Sequence, residues 1–232
     1  MAEIFHPAEQ SKRTAFTLAE VLITLGIIGV VAALTIPSLV QHYKRQVISS
    51  QLKKFYSTMS QAIKLSEIDN GPISDWDFSF NYTSDNYNEI MQTDKEKAFY
   101  FFDKYIFKYM PNVKTSLNTD GYVYPTFILK DGSTVKFHYG ACINIYYDTN
   151  GAAKGPNRSG IDDFSFVLCP RQENSKNYFG NSNISFAPWC SFYNECNTRE
   201  KALQMCKNNG GYCAKLIMMD SWQFKSDYPY KL

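Results

Sequence analysis

The chain has 232 residues, with 24 basic and 22 acidic side chains, so its formal net charge is only +2. A charge this small gives no basis for predicting a nucleic acid or a strongly acidic molecule as partner. The length suits one domain of ordinary size.

The first predicted element is a long apolar helix from Phe16 to Val40, whose sequence reads FTLAEVLITLGIIGVVAALTIPSLV. As an α-helix it would be about 37 Å long at roughly 1.5 Å per residue, which exceeds the approximately 30 Å of bilayer hydrocarbon. Glu20 is the only formal charge between Thr14 and Tyr43. A carboxylate costs about 2.5 kcal/mol or more at the centre of a bilayer. Either Glu20 pairs with a cation from another chain, or it lies at headgroup level.

The residues before this span favour the pairing. They are polar and end in the basic pair Lys12 and Arg13. A secretory signal would place a small-residue cleavage site after its apolar run, but here the small Ala15 precedes the run. Cleavage between Ala15 and Phe16 would create an α-amine, which normally titrates near pH 8, four residues before the carboxylate.

This segment closely resembles the N-terminal segment of type IV pilins and type II secretion pseudopilins, over roughly residues 12–65. The resemblance implies that a prepilin peptidase cuts between Ala15 and Phe16 and that Phe16 is then methylated. It implies that Glu20 docks each incoming subunit onto the N-terminus of the preceding subunit. Pro37 matches the position where the pilin helix bends or melts in the filament. The chain departs from the family at Ala15, where glycine is usual.

The resemblance also implies partners and a location. The partners would be other pilin or pseudopilin subunits, the prepilin peptidase and methylase, and an assembly platform in the inner membrane. The chain would cross the cytoplasmic membrane once, with its N-terminus in the cytoplasm and its head outside, before entering a filament in the periplasm or at the cell surface. Basic pairs flank both ends of the span, so the positive-inside rule alone does not orient it.

Beyond Pro37 the helical pattern resumes with one apolar face. Asn70 and Gly71 mark its predicted end, with Pro72 just beyond. We therefore predict a leader of residues 1–15, a helix of residues 16–69 and an extracytoplasmic head of residues 70–232. The apolar face comprises Ile48, Leu52, Phe55, Met59, Ala62 and Ile63.

The head is expected to be α+β. After a polar stretch, Thr93 and Glu96 form a capping-box pattern before a helix with an aromatic stripe of Phe99, Phe102, Ile106 and Tyr109. From Tyr122 apolar residues recur at every second position, which predicts strands in YPTFILK, STVKFHYG, ACINIYYD and DFSFVLC. Near the C-terminus we predict a helix from about Thr198 to Lys207, followed by a second helix or an edge strand. The predicted fold is pilin-like: a long helix on a small antiparallel sheet with a disulfide-rich C-terminal region.

All six cysteines lie after residue 140, in the part predicted to be outside the membrane. An even number there predicts disulfides in an oxidising compartment. The alternative, a metal cluster, is disfavoured because no C-x₂-C spacing occurs. The cysteines are Cys142, Cys169, Cys190, Cys196, Cys206 and Cys213.

The strand pattern also predicts one disulfide pairing. If Asp148 faces Asp163 in an antiparallel hairpin, then Cys142 lies directly opposite Cys169, six residues further along each strand. In a non-hydrogen-bonded pair their Cα atoms would be about 4.5 Å apart, which a disulfide accepts. The remaining cysteines would then form the local pairs Cys190–Cys196 and Cys206–Cys213.

The loop between these strands is the best candidate ligand site. Asp148, Asn150, Asp162 and Asp163 offer oxygen ligands near glycines, as calcium requires, and some pseudopilins bind calcium in a similar loop. The alternative is that Asn150–Gly151 forms a turn and the carboxylates cap loop backbone, and we favour this interpretation. No cofactor is firmly predicted.

The sequence contains no catalytic motif: G-x-S-x-G, Walker and H-E-x-x-H patterns are all missing, and His138 lies in a strand pattern. We therefore expect a structural pilin-like subunit that is not an enzyme. The alternative is a membrane-tethered extracytoplasmic module whose head binds a ligand or calcium. Leader cleavage distinguishes them, since a tethered receptor has no need of a cut before its own anchor.

We predict that the mature chain begins at Phe16, because a basic pair and a small residue precede an uninterrupted apolar helix. The intact mass of the membrane-extracted protein should equal that of methylated residues 16–232. A strain without prepilin peptidase is the control, in which the leader should remain attached. A mature N-terminus after Val40 would contradict the pilin interpretation.

Overall fold

The computed structural model describes residues 17–78, 99–111, 113–114, 126–139, 142–151, 153–181, 183–190 and 193–232. The predicted leader, the cleavage pair Ala15 and Phe16, and the Thr93–Glu96 capping box lie outside these ranges. The described residues form an α+β protein with a long N-terminal helix and an antiparallel sheet, which confirms the predicted fold class.

The long helix α1 spans Leu18–Asn70 and runs through Pro37. It ends where Gly71 adopts a φ of +78°, a left-handed conformation that glycine accepts more readily than other residues. Its second half has a single buried face, because apolar residues recur there at three- and four-residue steps. The buried residues are Leu52, Phe55, Met59, Ala62, Ile63 and Ser66.

The chain divides into two compact units, Met1–His42 and Tyr43–Leu232. The boundary falls inside α1, so its last turns belong to the same unit as the sheet. In the first unit the described side chains from residue 17 to residue 40 are exposed, apart from half-buried Ala32.

The sheet has six antiparallel strands in the order β1-β2-β3-β4-β5-β6. Each strand therefore pairs with its neighbour in the chain. The sequence pattern predicted the four central strands, whereas β1 and β6 are too short to leave a readable pattern. The strands are β1 (Val113–Lys114), β2 (Thr126–Leu129), β3 (Thr134–Tyr139), β4 (Ile143–Asp148), β5 (Asp163–Leu168) and β6 (Phe186–Pro188).

Aromatic side chains join α1 to the inner face of this sheet. The Phe55 ring stacks on Tyr147 with centroids 4.2 Å apart and meets Phe166 edge-on at 5.1 Å. A further helix, α2, contains residues 99–105 and adds Phe102, whose ring lies 3.6 Å from that of Phe137. The predicted aromatic stripe is thus core packing.

Strand β5 is buried on both faces. Phe164, Phe166 and Leu168 face the main core, while Val167 belongs to a second cluster on the opposite side of the sheet. Helix α3 (Gln172–Phe179) contributes Phe179 to this second cluster. The sequence analysis did not predict α3, because its eight residues carry only two large apolar side chains and show no period.

The β4–β5 hairpin has the register expected from the sequence, with Asp148 opposite Asp163. Cys142 and Cys169 form a disulfide with their Cα atoms 4.5 Å apart. The other four cysteines form the expected local pairs, Cys190–Cys196 and Cys206–Cys213.

The C-terminal region contains α4 (Arg199–Asn208) and α5 (Cys213–Met219). The segment that could have been a helix or an edge strand is therefore helical at its start. The Thr198 hydroxyl caps α4 by accepting a hydrogen bond from the Lys201 N–H at 3.3 Å, which satisfies one of the unpaired donors at a helix N-terminus.

Arg199 fastens the last residues of the chain to α4. Its guanidinium donates to both carboxylate oxygens of Asp220, at 2.6 and 2.9 Å, and to both of Asp227, at 2.9 and 2.8 Å. Burial opposes ionisation of Asp220, but the hydrogen bonds from Arg199 and Lys225 outweigh it and lower the pKa of this carboxyl group. Paired, forked contacts of this kind are among the stronger hydrogen bonds in proteins.

We predict that Phe55→Ala lowers the free energy of unfolding by about 3–5 kcal/mol, because it removes a buried ring and leaves a cavity between α1 and the sheet. Denaturant unfolding of the full chain in detergent micelles, followed by near-UV circular dichroism, would measure the loss. Ser57→Ala, at an exposed position of the same helix, should change stability by no more than about 0.5 kcal/mol. A similar cost for both variants would contradict the assigned core.

Candidate assembly site and neighbouring loop

Glu20 forms a capping box with Thr17 at the start of α1. The Thr17 backbone N–H donates to Glu20 Oε2 at 2.8 Å, and the Glu20 N–H donates to the Thr17 hydroxyl oxygen at 3.2 Å. The Thr17 hydroxyl also donates to Oε2, at 2.7 Å. Side chain and backbone thus satisfy each other reciprocally, which stabilises a helix N-terminus.

All the hydrogen bonds that Glu20 accepts from described residues use one oxygen, Oε2. Its other oxygen, Oε1, therefore remains able to accept a donor from another molecule while the cap is kept. An ionised carboxylate has a strong reason to take such a donor in a low-dielectric setting, where an unpaired charge is costly.

The other polar side chains along this stretch bond within the helix. Thr24 donates its hydroxyl to the Val21 carbonyl at 2.9 Å, and Thr35 donates to the Val31 carbonyl at 2.9 Å. Such bonds to the preceding turn satisfy hydroxyl groups without an outside partner. In the described part of this stretch, Glu20 is therefore the polar side chain best placed to bind something else.

The surface around Glu20 is apolar and uncovered. Leu18 is 78% exposed and Leu34 is 76% exposed, and the large apolar residues between them are 42–63% exposed. An exposed apolar surface of this extent marks an interaction with a membrane or another protein. Helix α1 is long and apolar enough to cross a bilayer, which is compatible with membrane anchoring.

Sequence analysis identified Glu20 but missed Thr17. The signal was present, because Thr17-x-x-Glu20 has the spacing of a capping box. Before the head helix, an amphipathic period follows the capping-box pattern and marks the start of the helix. The apolar run at the N-terminus has no such period to mark its first turn.

The loop after β4 uses its first carboxylate to hold a turn. Asp148 Oδ1 accepts from the backbone N–H groups of Asn150 and Gly151, at 3.1 and 2.9 Å. Gly151 has a φ of +88°, and a Cβ there would lie 2.4 Å from the Gly132 carbonyl oxygen. Only glycine fits this crossing of the β4–β5 connection over the β2–β3 turn.

The second carboxylate of the loop also binds backbone. Asp162 accepts from the N–H groups of Asn157 and Arg158, at 3.0 and 2.7 Å, and from the Asn150 side-chain amide at 3.2 Å. These contacts fit the turn-capping interpretation that the sequence analysis favoured. Within the described residues, no three Asp, Glu, His or Cys side chains are grouped so as to hold a metal ion.

Asp163 differs from its neighbours because its Oδ1 atom is buried and accepts no hydrogen bond from any described residue. Burial, and then the nearby charge of Asp148 across the strand pair, raise the pKa of Asp163 to about 6. Burial also raises the pKa of Asp148, although the turn N–H groups oppose the change. His138, which the sequence placed in a strand, lies in β3, and burial lowers its pKa.

Comparison with known families gives two matches. A model described as a family of unknown function (DUF6613) matches residues 38–232, which is most of the chain. This chain belongs to DUF6613. The model of the prokaryotic N-terminal methylation motif matches residues 10–36. Neither a curated protein nor a solved structure matches the chain.

The methylation motif includes the positions of Ala15, Phe16, Thr17 and Glu20. The motif and the long apolar helix together support a pilin-like subunit. They confirm the resemblance to type IV pilins and pseudopilins. Proteins of the pilin type are typically structural.

We predict that Asp163→Asn stabilises the DUF6613 protein at pH 7 and has little effect near pH 4. Because the folded-state pKa of about 6 lies above the unfolded value of about 3.9, the folded chain binds the proton more tightly. The wild type should therefore lose stability as pH rises between these values. For this partly exposed group we expect a difference of roughly 1–2 kcal/mol above pH 6.

Thermal unfolding across this pH range would measure the effect. Asp103→Asn changes the net charge equally at an exposed position and should leave the pH dependence unaltered. An Asp163→Asn variant with the same pH dependence as the wild type would contradict the assigned pKa.

Proposed function

We propose that this protein is a leader-processed pilin or pseudopilin subunit that assembles through α1 into a type IV pilus-like or type II secretion filament. The observation that carries the proposal is the single carboxylate in the exposed apolar half of α1. Glu20 has one oxygen engaged in its own capping box and one able to accept a donor from outside.

In this proposal the prepilin peptidase removes residues 1–15 and the new N-terminal Phe16 is methylated. The methylated amine keeps its positive charge and stays next to Thr17, at the start of the helix. Residues 16–69 then form the assembly helix, and residues 70–232 form the head outside the cytoplasm. The six cysteines paired as disulfides support this placement of the head, since disulfides persist in oxidising compartments.

The amine of one subunit pairs with Glu20 of the next. Two opposite charges in an apolar environment gain far more by pairing than they would in water, because each is otherwise left uncompensated. The geometry lets the carboxylate keep its helix cap through Oε2 while Oε1 accepts the amine. Pairing of this kind fixes the register between subunits, and the exposed apolar side chains supply most of the buried area.

The proposed partners follow from this path. They are the prepilin peptidase and methylase, an assembly platform in the inner membrane, and other pilin or pseudopilin subunits. The subunit first spans the cytoplasmic membrane with its N-terminus in the cytoplasm. It then leaves the bilayer for a filament in the periplasm or at the cell surface, where neighbouring helices replace lipid around α1.

We predict that Glu20→Gln impairs filament entry but keeps the helix cap, because glutamine also completes a capping box without carrying a charge. A hydrogen bond to a charged group contributes about 1.5–3 kcal/mol, so assembled subunits should fall roughly tenfold to a hundredfold. Glu20→Ala should lose both the charge and the cap. The measurement is the fraction of subunit in sheared filaments, with membrane-inserted subunit as the reference.

Glu195→Ala is the matched control, since it removes an exposed carboxylate from the head and should assemble normally. Leader processing and membrane insertion should be unchanged in all three variants. If Glu20→Gln assembles as well as the wild type, the carboxylate charge is not the assembly group.

A further inference from the structure

A cleft of about 380 Å³ lies in the unit that begins at Tyr43. One wall is α1 from Tyr43 to Gln51, and the other is the connection between β4 and β5 together with the last residue, Leu232. The Gln51 side-chain amide donates to the Thr149 carbonyl at 2.9 Å and holds the two walls together.

Two basic side chains line this cleft. Lys44 lies on α1 and Lys154 on the connection between β4 and β5. Among the described residues, neither lysine forms an ion pair.

One polar atom of the lining is buried without a partner among the described residues. Asn150 Oδ1 accepts no hydrogen bond from them. Buried polar atoms without partners are uncommon in folded proteins and call for an explanation. A ligand that carries a hydrogen-bond donor would supply the missing partner.

The two lysines outweigh the acidic side chains of the lining. Asp131 pairs with Lys54 at 3.4 Å, whereas Asp162 accepts from loop backbone, keeps its charge and offsets one lysine. The cleft therefore presents a net positive charge beside an apolar wall that includes Val47, Ile48 and Ile161. This combination suits an amphiphilic anion better than a free metal ion or a neutral sugar.

The position of the cleft along α1 places it at the depth of the lipid headgroups, which indicates the class of anion that it would meet. Tyr43 and Lys44 follow Val40, the end of the predicted span, by three and four residues, which is about 4.5–6 Å of helix. The polar headgroup layer adds roughly 5–8 Å on each side of the hydrocarbon. Tyrosine and lysine are also the residues that lie at this depth.

We propose that this cleft binds the headgroup of an anionic phospholipid, with the phosphate between Lys44 and Lys154. A headgroup hydroxyl would donate to Asn150 Oδ1, which makes phosphatidylglycerol the best match. This inference rests on the proposed membrane-anchored stage of the subunit. Lipid bound there would hold the head against the bilayer until the subunit enters a filament.

The test uses the full chain in nanodiscs of phosphatidylcholine, with and without phosphatidylglycerol. Native mass spectrometry measures the lipid that stays bound after the disc is stripped. The double variant Lys44→Gln/Lys154→Gln should retain roughly 25-fold less phosphatidylglycerol, since each lysine near an anionic headgroup contributes about a factor of five. Lys53→Gln/Lys207→Gln removes the same charge from exposed positions outside the cleft lining and should retain lipid like the wild type.

Equal loss in both double variants, or no preference for phosphatidylglycerol, would overturn the proposal. So would full lipid retention combined with failed filament entry in the cleft variant, which would assign the cleft to contacts between subunits. Displacement of the lipid by inorganic phosphate alone would also contradict it, because the apolar wall would then be irrelevant. A chain that does not enter nanodiscs at all would instead contradict the membrane-anchored stage of the proposed function.

Discussion

Helix α1 has to satisfy two different surroundings along one continuous backbone, and the rest of the structure depends on how it does so. Up to His42 its apolar side chains point in all directions and stay exposed, whereas beyond Tyr43 only one stripe is apolar. That stripe, centred on Phe55, supplies the inner face of the sheet with its packing partner. A sheet with an apolar inner face is stable only when something covers it. Here the cover is the same helix that carries the proposed assembly surface.

Most of the polar groups discussed above form their hydrogen bonds with other groups of the same chain. In the first half of α1 the hydroxyl groups bond to the preceding turn and Glu20 bonds to Thr17, so the helix needs little from outside. In the head, Asp148 and Asp162 hold loop backbone and Arg199 holds two carboxylates of the C-terminal segment. The groups left without a partner among the described residues include Glu20 Oε1 and, in the cleft beside Lys44, the two lysines and Asn150 Oδ1. Both places are ones where we propose that a second molecule binds.

Periodicity determined what the sequence could predict. The stripe on α1, the four central strands and the Asp148–Asp163 register all follow from repeats of 3.6 or two residues, and Cys142 and Cys169 come together as a direct result. Helix α3 was missed because QENSKNYF lacks any period, and β6 because three residues ending in Pro188 carry no alternation. The Arg199 contacts join residues distant in sequence, and Lys44 and Lys154, also distant in sequence, line the same cleft. Such combinations leave no local pattern.

The placement of the disulfides bears on how the proposed filament would carry mechanical force. The three bridges join residues 27, 6 and 7 apart in the sequence, all within the head, and none reaches α1. Tension along the filament axis would pass from helix to helix through non-covalent packing. It would enter the head through the chain connection after Asn70 and through contacts of α1 such as the Phe55 and Tyr56 rings. The disulfides lie outside this path of force, so they would stay intact and still limit unfolding of the C-terminal region if the head were pulled away from its helix.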